Sequence, residues 1–524
     1  MSRITRAALA FTILAGALLP LASTVPASAQ PVPVRVMTLN VLYGGDELDL
    51  DTGGWCTKPR GCHAALRQIV RTIEAASPDV VGLQEPINNT RWIADRLGWY
   101  ASPRNHVISR FPIVDPPAGR GVYVFVELAP GEVVAVANTH LTSTPYSPYM
   151  IRNGQPRERI LAVEERYRLP EVRKHLRILP RLAARGIPVF FTGDFNSPSH
   201  HDYTRAYVDA RGLPYRVAWP VSTALADVGF RDSYREAHPD PVARPGFTWT
   251  PGVPRLRVHE VHDRIDWVLA AGPSSTVSSQ IVGEPGGADV DIEVDPYVTD
   301  HRGVVSEFAL TPGVPPRFVA PAERRVFRGD DLAVRFHADG RVGERIAIVR
   351  AGERPSEVLR SRSTGGAADG EVTFADVGLS SGAYDVLLLS PNGAPRATAR
   401  FWLYRADEPV RVWTRDRVYE QGERIRVSWS GAPGNRYDWL GIFRPTDIHP
   451  LADVCDAGYC RNWNYKWYRY TGARIQGTAT FGPNAEIGYG TWPLTRGRYE
   501  IRLLADDGYR LLAVSNTFRV VARR

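Results

Sequence analysis

Six short segments of this 524-residue chain end in side chains that can carry chemistry: Thr-Leu-Asn at 38–40, Leu-Gln-Glu-Pro at 83–86, Asn-Thr-His-Leu at 138–141, Gly-Asp-Phe-Asn-Ser-Pro-Ser at 193–199, Arg-Ile-Asp-Trp at 264–267 and Thr-Asp-His at 299–301. Their polar members are carboxylates, carboxamides and imidazoles. Carboxylate and amide oxygens suit a hard divalent cation. An imidazole beside a carboxylate can take up or deliver a proton near neutral pH. Serine nucleophile chemistry is not indicated, because no G-x-S-x-G turn is present. His259-Glu260-Val261-His262 is one residue short of the H-E-x-x-H zinc motif and precedes a strand, so it reads as non-catalytic.

The elements around these segments explain how they could meet. VRVMTLNV at 34–41, DVVGLQEP at 79–86, GEVVAVANTHL at 131–141 and GIPVFFTGDFN at 186–196 are apolar runs that turn polar at their C-terminal ends. They read as buried strands that deliver their last residues to one edge. DRIDWVLA at 263–270 and VVSEFAL at 304–310 complete the set. Leu66, Ile69, Val70 and Ile73 recur at helical spacing within His63–Ala76, and Val172, Leu176, Leu179 and Leu182 do so within Leu169–Ala184. Strands alternating with helices over 34–311 predict a layered α+β domain. TPGVPPRFVAP reads as a Pro-rich linker centred on 312–321, and beyond it helical periodicity disappears. Gly329–Phe336 parallels Gly422–Trp429, Ile346–Arg350 parallels Leu440–Arg444, and Gly382–Val386 parallels Gly497–Ile501. Three matches in order predict two copies of a small β-sandwich, at 322–406 and 409–522.

The six motifs in this order resemble the endonuclease/exonuclease/phosphatase family, with the resemblance covering about residues 34–311. It implies a four-layer α/β/β/α sandwich and hydrolysis of a phosphoric ester with Mg²⁺ or Mn²⁺, Ca²⁺ being an alternative. A cation neutralises the charge that repels a nucleophile and stabilises the departing oxygen. The resemblance assigns Glu85 as the main metal ligand, with Asn40 and Asp300 close to the ion. It sets Asp194 to orient or deprotonate the attacking water, and Asn196 to donate to the non-bridging oxygens. Asp266 and His301 are expected to pair, and His140 to serve as general acid or as ligand to a second ion. In the tail, Asp438-Trp439-Leu440-Gly441-Ile442-Phe443 and the aromatic run Asn464–Tyr470 resemble the SKICH type of β-sandwich. Trp463, Tyr465 and Trp467 at period two read first as core, with Arg461, Lys466 and Arg469 as a surface for anionic headgroups or bases.

Arg3 and Arg6, the apolar run Ala8–Leu21 and Ala27-Ser28-Ala29 have the form of a cleaved signal peptide over 1–29, which predicts a secreted protein. Cys56 with Cys62 and Cys455 with Cys460 fit two local disulfides better than a zinc site. The net charge is +8, and its surplus lies late: Val410–Arg524 carries 18 Lys and Arg against 11 Asp and Glu. The catalytic segment is about −1, which weighs against a nuclease and leaves nucleic acid as the alternative substrate. The favoured substrate is a lipid headgroup diester or related organic phosphate, with an anionic membrane as partner of the basic tail. A non-catalytic binding protein is the third reading. On this view the chain could be cut near Pro312 and keep its activity on small esters.

Overall fold

The computed structural model describes residues 31–56, 62–251, 260–446, 465–483 and 492–523. The expected signal peptide, the Cys455–Cys460 pair, His259, Arg461, Trp463 and Asn464 lie outside the described residues.

The alternation of apolar residues along the strands builds two sheets packed face to face. Seven strands form the first, in the order Val290–Glu293, Ser274–Gly283, Gly303–Leu310, Val32–Asn40, Val80–Gln84, Val107–Ser109 and Tyr100–Ser102. Six form the second: Arg231–Asp232, Asp266–Ala271, Val189–Asp194, Glu132–His140, Val124–Ala129 and Ile113–Val114. Successive residues of a strand face opposite sides. Val34 and Val36 therefore meet Val134, Val136, Phe190 and Val268 between the sheets. Met37 and Leu39 point outward, beneath Leu66, Ile69 and Ile73 of helix His63–Ala76. On the far side, helix Leu169–Ala183 lays Val172, Leu179 and Leu182 over Val189 and Phe191. The result is the expected α+β sandwich of four layers. A helix at Arg157–Tyr167 was not expected, since its mostly charged sequence carries little apolar periodicity. Its buried Glu164 bonds Arg168 at 2.6 Å and anchors it instead.

Val32–Asn40 runs parallel to Val80–Gln84, and Glu132–His140 runs parallel to Val189–Asp194. Four strands thus end at one edge of the sandwich. Gly82 lets the two sheets approach: a Cβ there would lie 1.9 Å from Thr192 Oγ1. Cys56 and Cys62 are bonded, closing the loop that precedes helix His63–Ala76.

Two β-rich modules follow. In the first, three strands (Phe318–Pro321, Leu332–His337, Asp369–Phe374) face a five-stranded sheet ordered Arg325–Phe327, Pro395–Tyr404, Gly382–Leu389, Arg345–Arg350, Arg360–Ser363. The second repeats the plan with Arg411–Thr414, Ile425–Ser430, Gly477–Phe481 against Val418–Glu420, Phe518–Val521, Gly497–Leu504, Trp439–Phe443, Trp467–Tyr470. Trp467 is in the core of that module and Tyr465 packs beside Trp439.

Two expectations are corrected here. The Pro-rich stretch is not a free linker. Gly313 exchanges backbone hydrogen bonds of 2.8 and 2.9 Å with Val133, and Phe318 enters the core formed around Phe125. A strand edge and a buried phenyl ring hold it down. Nor is the tail a detached tether. The second module docks on the N-terminal sandwich through a buried His106–Asp506 contact of 2.6 Å and through Arg436, Tyr437 and Arg510.

Candidate active site

Strand register decides which side chains meet. Asn40 is opposite Gln84, and Asp194 is opposite both His140 and Asp266. Asp194 is the hub. Its Oδ2 accepts from Asn40 Nδ2 at 3.1 Å and lies 3.5 Å from His140 Nε2 and 3.6 Å from His301 Nε2. Its Oδ1 accepts the Asn196 backbone N–H at 2.9 Å. On one side, His301 Nδ1 meets Asp266 Oδ2 at 2.9 Å. On the other, Glu85 Oε1 lies 3.3 Å from Asn40 Nδ2 and 3.8 Å from His140 Nε2, while Oε2 accepts the Tyr43 N–H at 2.8 Å. All eight residues singled out in the sequence therefore lie at this edge or in the turns beside it. Asn196 differs in detail: its Nδ2 donates to the Leu141 carbonyl at 2.9 Å. An amide nitrogen has a second hydrogen to offer.

Two of these residues hold a left-handed backbone, Glu85 at φ 56° and Asn196 at φ 47°. Non-glycine residues visit that region at a cost and persist there only when their surroundings fix them. Here a strand ends abruptly, and the kink aims each side chain into the cluster.

The electrostatics follow from burial among like charges. Burial pushes the Asp300 carboxyl up to about 7; Glu85 and Asp194 add to the shift against His301. Burial alone would lower His301, but the Asp266 and Asp194 carboxylates outweigh it and hold the imidazole well above its usual range. His140 is also raised, since Asp194, Glu85 and Asp507 together overcome its burial.

The oxygens of Glu85, Asp300, Asn40 and Asp194 make a hard donor set with excess negative charge, which fits a divalent cation. Asp194, Asp266 and His301 also bring ligand atoms within 4.8 Å of one another and could hold a metal. In that group Asp266 Oδ2 and His301 Nδ1 already meet at 2.9 Å, while Asp266 Oδ1 is buried without a hydrogen-bond partner.

The sequence reading missed a polar layer directly under the site. Gln84 Nε2 donates to Thr38 Oγ1 at 3.0 Å and to Asn138 Oδ1 at 2.7 Å, and Thr192 Oγ1 donates to the same Asn138 oxygen at 3.0 Å. Thr248 Oγ1 accepts the N–H groups of Ile265 and Asp266 at 3.0 and 3.1 Å. Within the same motif, Arg264 bonds Asp232 at 2.6 Å and Asp202 at 3.0 Å, all buried. Gln84, Asn138 and Arg264 stand inside the motifs, so their types were visible although their task was not. Tyr437 was not visible at all. Its hydroxyl accepts the His140 backbone N–H at 3.1 Å across 297 residues of chain.

Residues 37–301 match the endonuclease/exonuclease/phosphatase family. An uncharacterized protein of Caenorhabditis elegans is 29% identical over an alignment of 306 residues, with 53% of this chain and 91% of that one covered. Among solved structures, an endonuclease/exonuclease/phosphatase from Beutenbergia cavernae is 18% identical, with 71% of this chain and 100% of that one covered and a TM-score of 0.32. D. rerio TDP2 complexed with a single-strand DNA product is 16% identical, with 53% of this chain and 98% of that one covered and a TM-score of 0.31. With the family match spanning the sites of all six motifs, the chain belongs to the endonuclease/exonuclease/phosphatase family of divalent-metal-dependent phosphoester hydrolases.

Proposed function

We propose that this protein is a secreted phosphodiesterase acting on a small organic phosphate diester, with a lipid headgroup as the favoured case. The observation that carries the reading is the placement of the Asp194 carboxylate between two imidazoles, 3.5 Å from His140 and 3.6 Å from His301. Glu85, Asn40 and Asp300 are the residues that would hold a divalent ion, which when bound offsets phosphate charge and stabilises the leaving oxygen. Asp194 orients a water and takes its proton, and the Asn196 amide donates to a phosphoryl oxygen as charge builds there. His301, kept cationic by Asp266, binds the phosphate. His140, on the Glu85 side, delivers a proton to the departing alkoxide.

Charge supports the substrate class. A nuclease lines its site with cations for the phosphate backbone. Among the described residues, Arg436 and Arg510 of the second module are held by hydrogen bonds, to the Asn138 carbonyl and to Asn88 Oδ1 at 3.0 Å. A cationic group that adjoins Arg436 lies at the seam with the second module. Burial and the charges of Arg436, Arg474, Arg177 and Arg120 lower the Lys174 amine. Such a group suits an anionic membrane surface.

The test is a substrate panel with Mg²⁺ or with excess chelator: bis(4-nitrophenyl) phosphate, sphingomyelin and phosphatidylcholine vesicles with and without phosphatidylserine, single- and double-stranded DNA, and a phosphomonoester. Hydrolysis of the small diester and of headgroups, lost on chelation, is expected. Preference for DNA would overturn the substrate class, and full activity in chelator would overturn the metal assignment.

A further inference from the structure

The strand that carries His140 outruns its neighbour. Glu132–His140 pairs with Val124–Ala129 only as far as Val136 opposite Val124. Past that point, alternate backbone groups on this edge of the strand lack a sheet partner, and buried backbone groups need one. The second β module supplies it. The Arg436 guanidinium donates to the Asn138 carbonyl and lies 3.5 Å from Thr139 Oγ1, and Tyr437 Oη accepts the His140 N–H at 3.1 Å. Two side chains from a distant module thus take the place of the missing strand, just beneath the imidazole.

These side chains are themselves fixed. Tyr437 is 5% exposed and packs between the rings of His106 and Tyr470, at 5.0 and 5.3 Å. Its carbonyl accepts the Asp507 N–H at 2.9 Å, and Asp507 Oδ1 accepts from Tyr470 Oη at 2.6 Å. The Asp-Trp pair of the Asp-Trp-Leu-Gly-Ile-Phe motif ties the two docking loops together. Asp438 accepts the N–H groups of Gly434 and Asn435, each at 3.0 Å, and of Asp506 at 3.1 Å; Trp439 Nε1 donates to the Gly508 carbonyl at 2.9 Å. The motif serves to present both loops to the active site.

We propose that Tyr437, with Arg436 and Asp507 beside it, is a positioning residue for His140, so that the second β module completes the active site. This rests on the reading of His140 as the proton donor to the leaving group. A donor displaced from its acceptor loses rate steeply, and the loss is felt only where the leaving oxygen needs a proton.

That dependence gives the test, made in the full-length protein with Mg²⁺. Rates are compared for ethyl 4-nitrophenyl phosphate, whose leaving group departs readily, and ethyl phenyl phosphate, whose leaving group is poorer. Tyr437→Phe and Asp507→Asn are expected to lower kcat on the phenyl ester roughly tenfold while leaving the nitrophenyl ester within about twofold and KM little changed. In a His140→Ala background neither should cost anything further. Equal losses on both esters, or an undiminished loss in the His140→Ala background, would assign Tyr437 to general stability and overturn the proposal. Wild-type rates for both tail variants on both esters would overturn it too. If His140→Ala itself shows no leaving-group dependence, the assigned role of His140 fails instead.

Discussion

The two β modules are one design used twice. Their larger sheets share strand order, and each opens with a parallel pair, Arg325–Phe327 on Pro395–Tyr404 and Val418–Glu420 on Phe518–Val521. Each has the same tyrosine corner: Tyr384 donates to the Ser380 carbonyl at 2.7 Å and Tyr499 to that of Thr495 at 2.8 Å. They act on opposite ends of a single strand. The segment leading into the first module grips Glu132–His140 at Val133, while the second module meets it at His140. The difference lies in one hairpin turn. In the first module Ser390–Gly393 closes on itself, with Ser390 Oγ donating to Asn392 Oδ1 at 2.6 Å. In the second, Asp506-Asp507-Gly508 enters the catalytic sandwich, where the carboxylate of Asp506 accepts the Asn88 N–H at 3.0 Å. A shared core makes the sandwiches alike, and a few turn residues decide whether a module only supports its neighbour or helps build its site.

Two pairs of substitutions and one single substitution can break that contrast. The largest effect is expected at Gly508, where a Cβ would come within 2.4 Å of Ile87, two residues past Glu85. Gly508→Val should lower kcat/KM on bis(4-nitrophenyl) phosphate about a hundredfold, since displacements near 1 Å at a site cost on that order. Asn392→Ala, in the corresponding turn, should leave it unchanged. Comparable losses from both would erase the distinction. Next is the pair of docking contacts. Asp506→Ala strands the His106 ring, 2% exposed, and should cost about 2 kcal/mol in urea unfolding together with activity. Arg335→Ala removes the partner of Glu127 on the first module and should cost about 1 kcal/mol with activity retained. Activity loss from Arg335→Ala would mean that the first module also reaches the chemistry. The smallest effect belongs to the Arg91–Glu323 bridge, whose side chains are 58% and 65% exposed. Arg91→Ala should shift stability by less than about 0.5 kcal/mol, and added salt should erase even that.

The catalytic sandwich was readable because its information is local. Apolar runs mark strands, and a polar residue at the end of such a run marks a group delivered to an edge. Parallel pairing then gathers Asn40, Glu85, His140 and Asp194 without further instruction. The four-layer stacking came from the resemblance, not from periodicity. What stayed hidden depends on contacts that leave no period in the sequence. The layer of Thr38, Gln84, Asn138 and Thr192 joins two sheets, and each residue alone looks like an ordinary strand polar group. The tail misled for a related reason. Its basic surplus suggested a free surface, yet part of it, Arg436 and Arg510, is engaged at the docking face. Charge counts along a chain do not reveal which charges another domain has covered.

The bond between His140 and Tyr437 joins residues 297 apart, and this orders events during synthesis. At roughly 5–20 residues per second, Tyr437 is made about 15–60 s after His140. The N-terminal sandwich can emerge and pack during that interval with one edge of strand Glu132–His140 still uncovered near His140. On the proposed role of Tyr437, the site is complete only once the second module has been translated, folded and docked. Chains interrupted before that module would carry all six motifs yet lack the Tyr437 contact to His140.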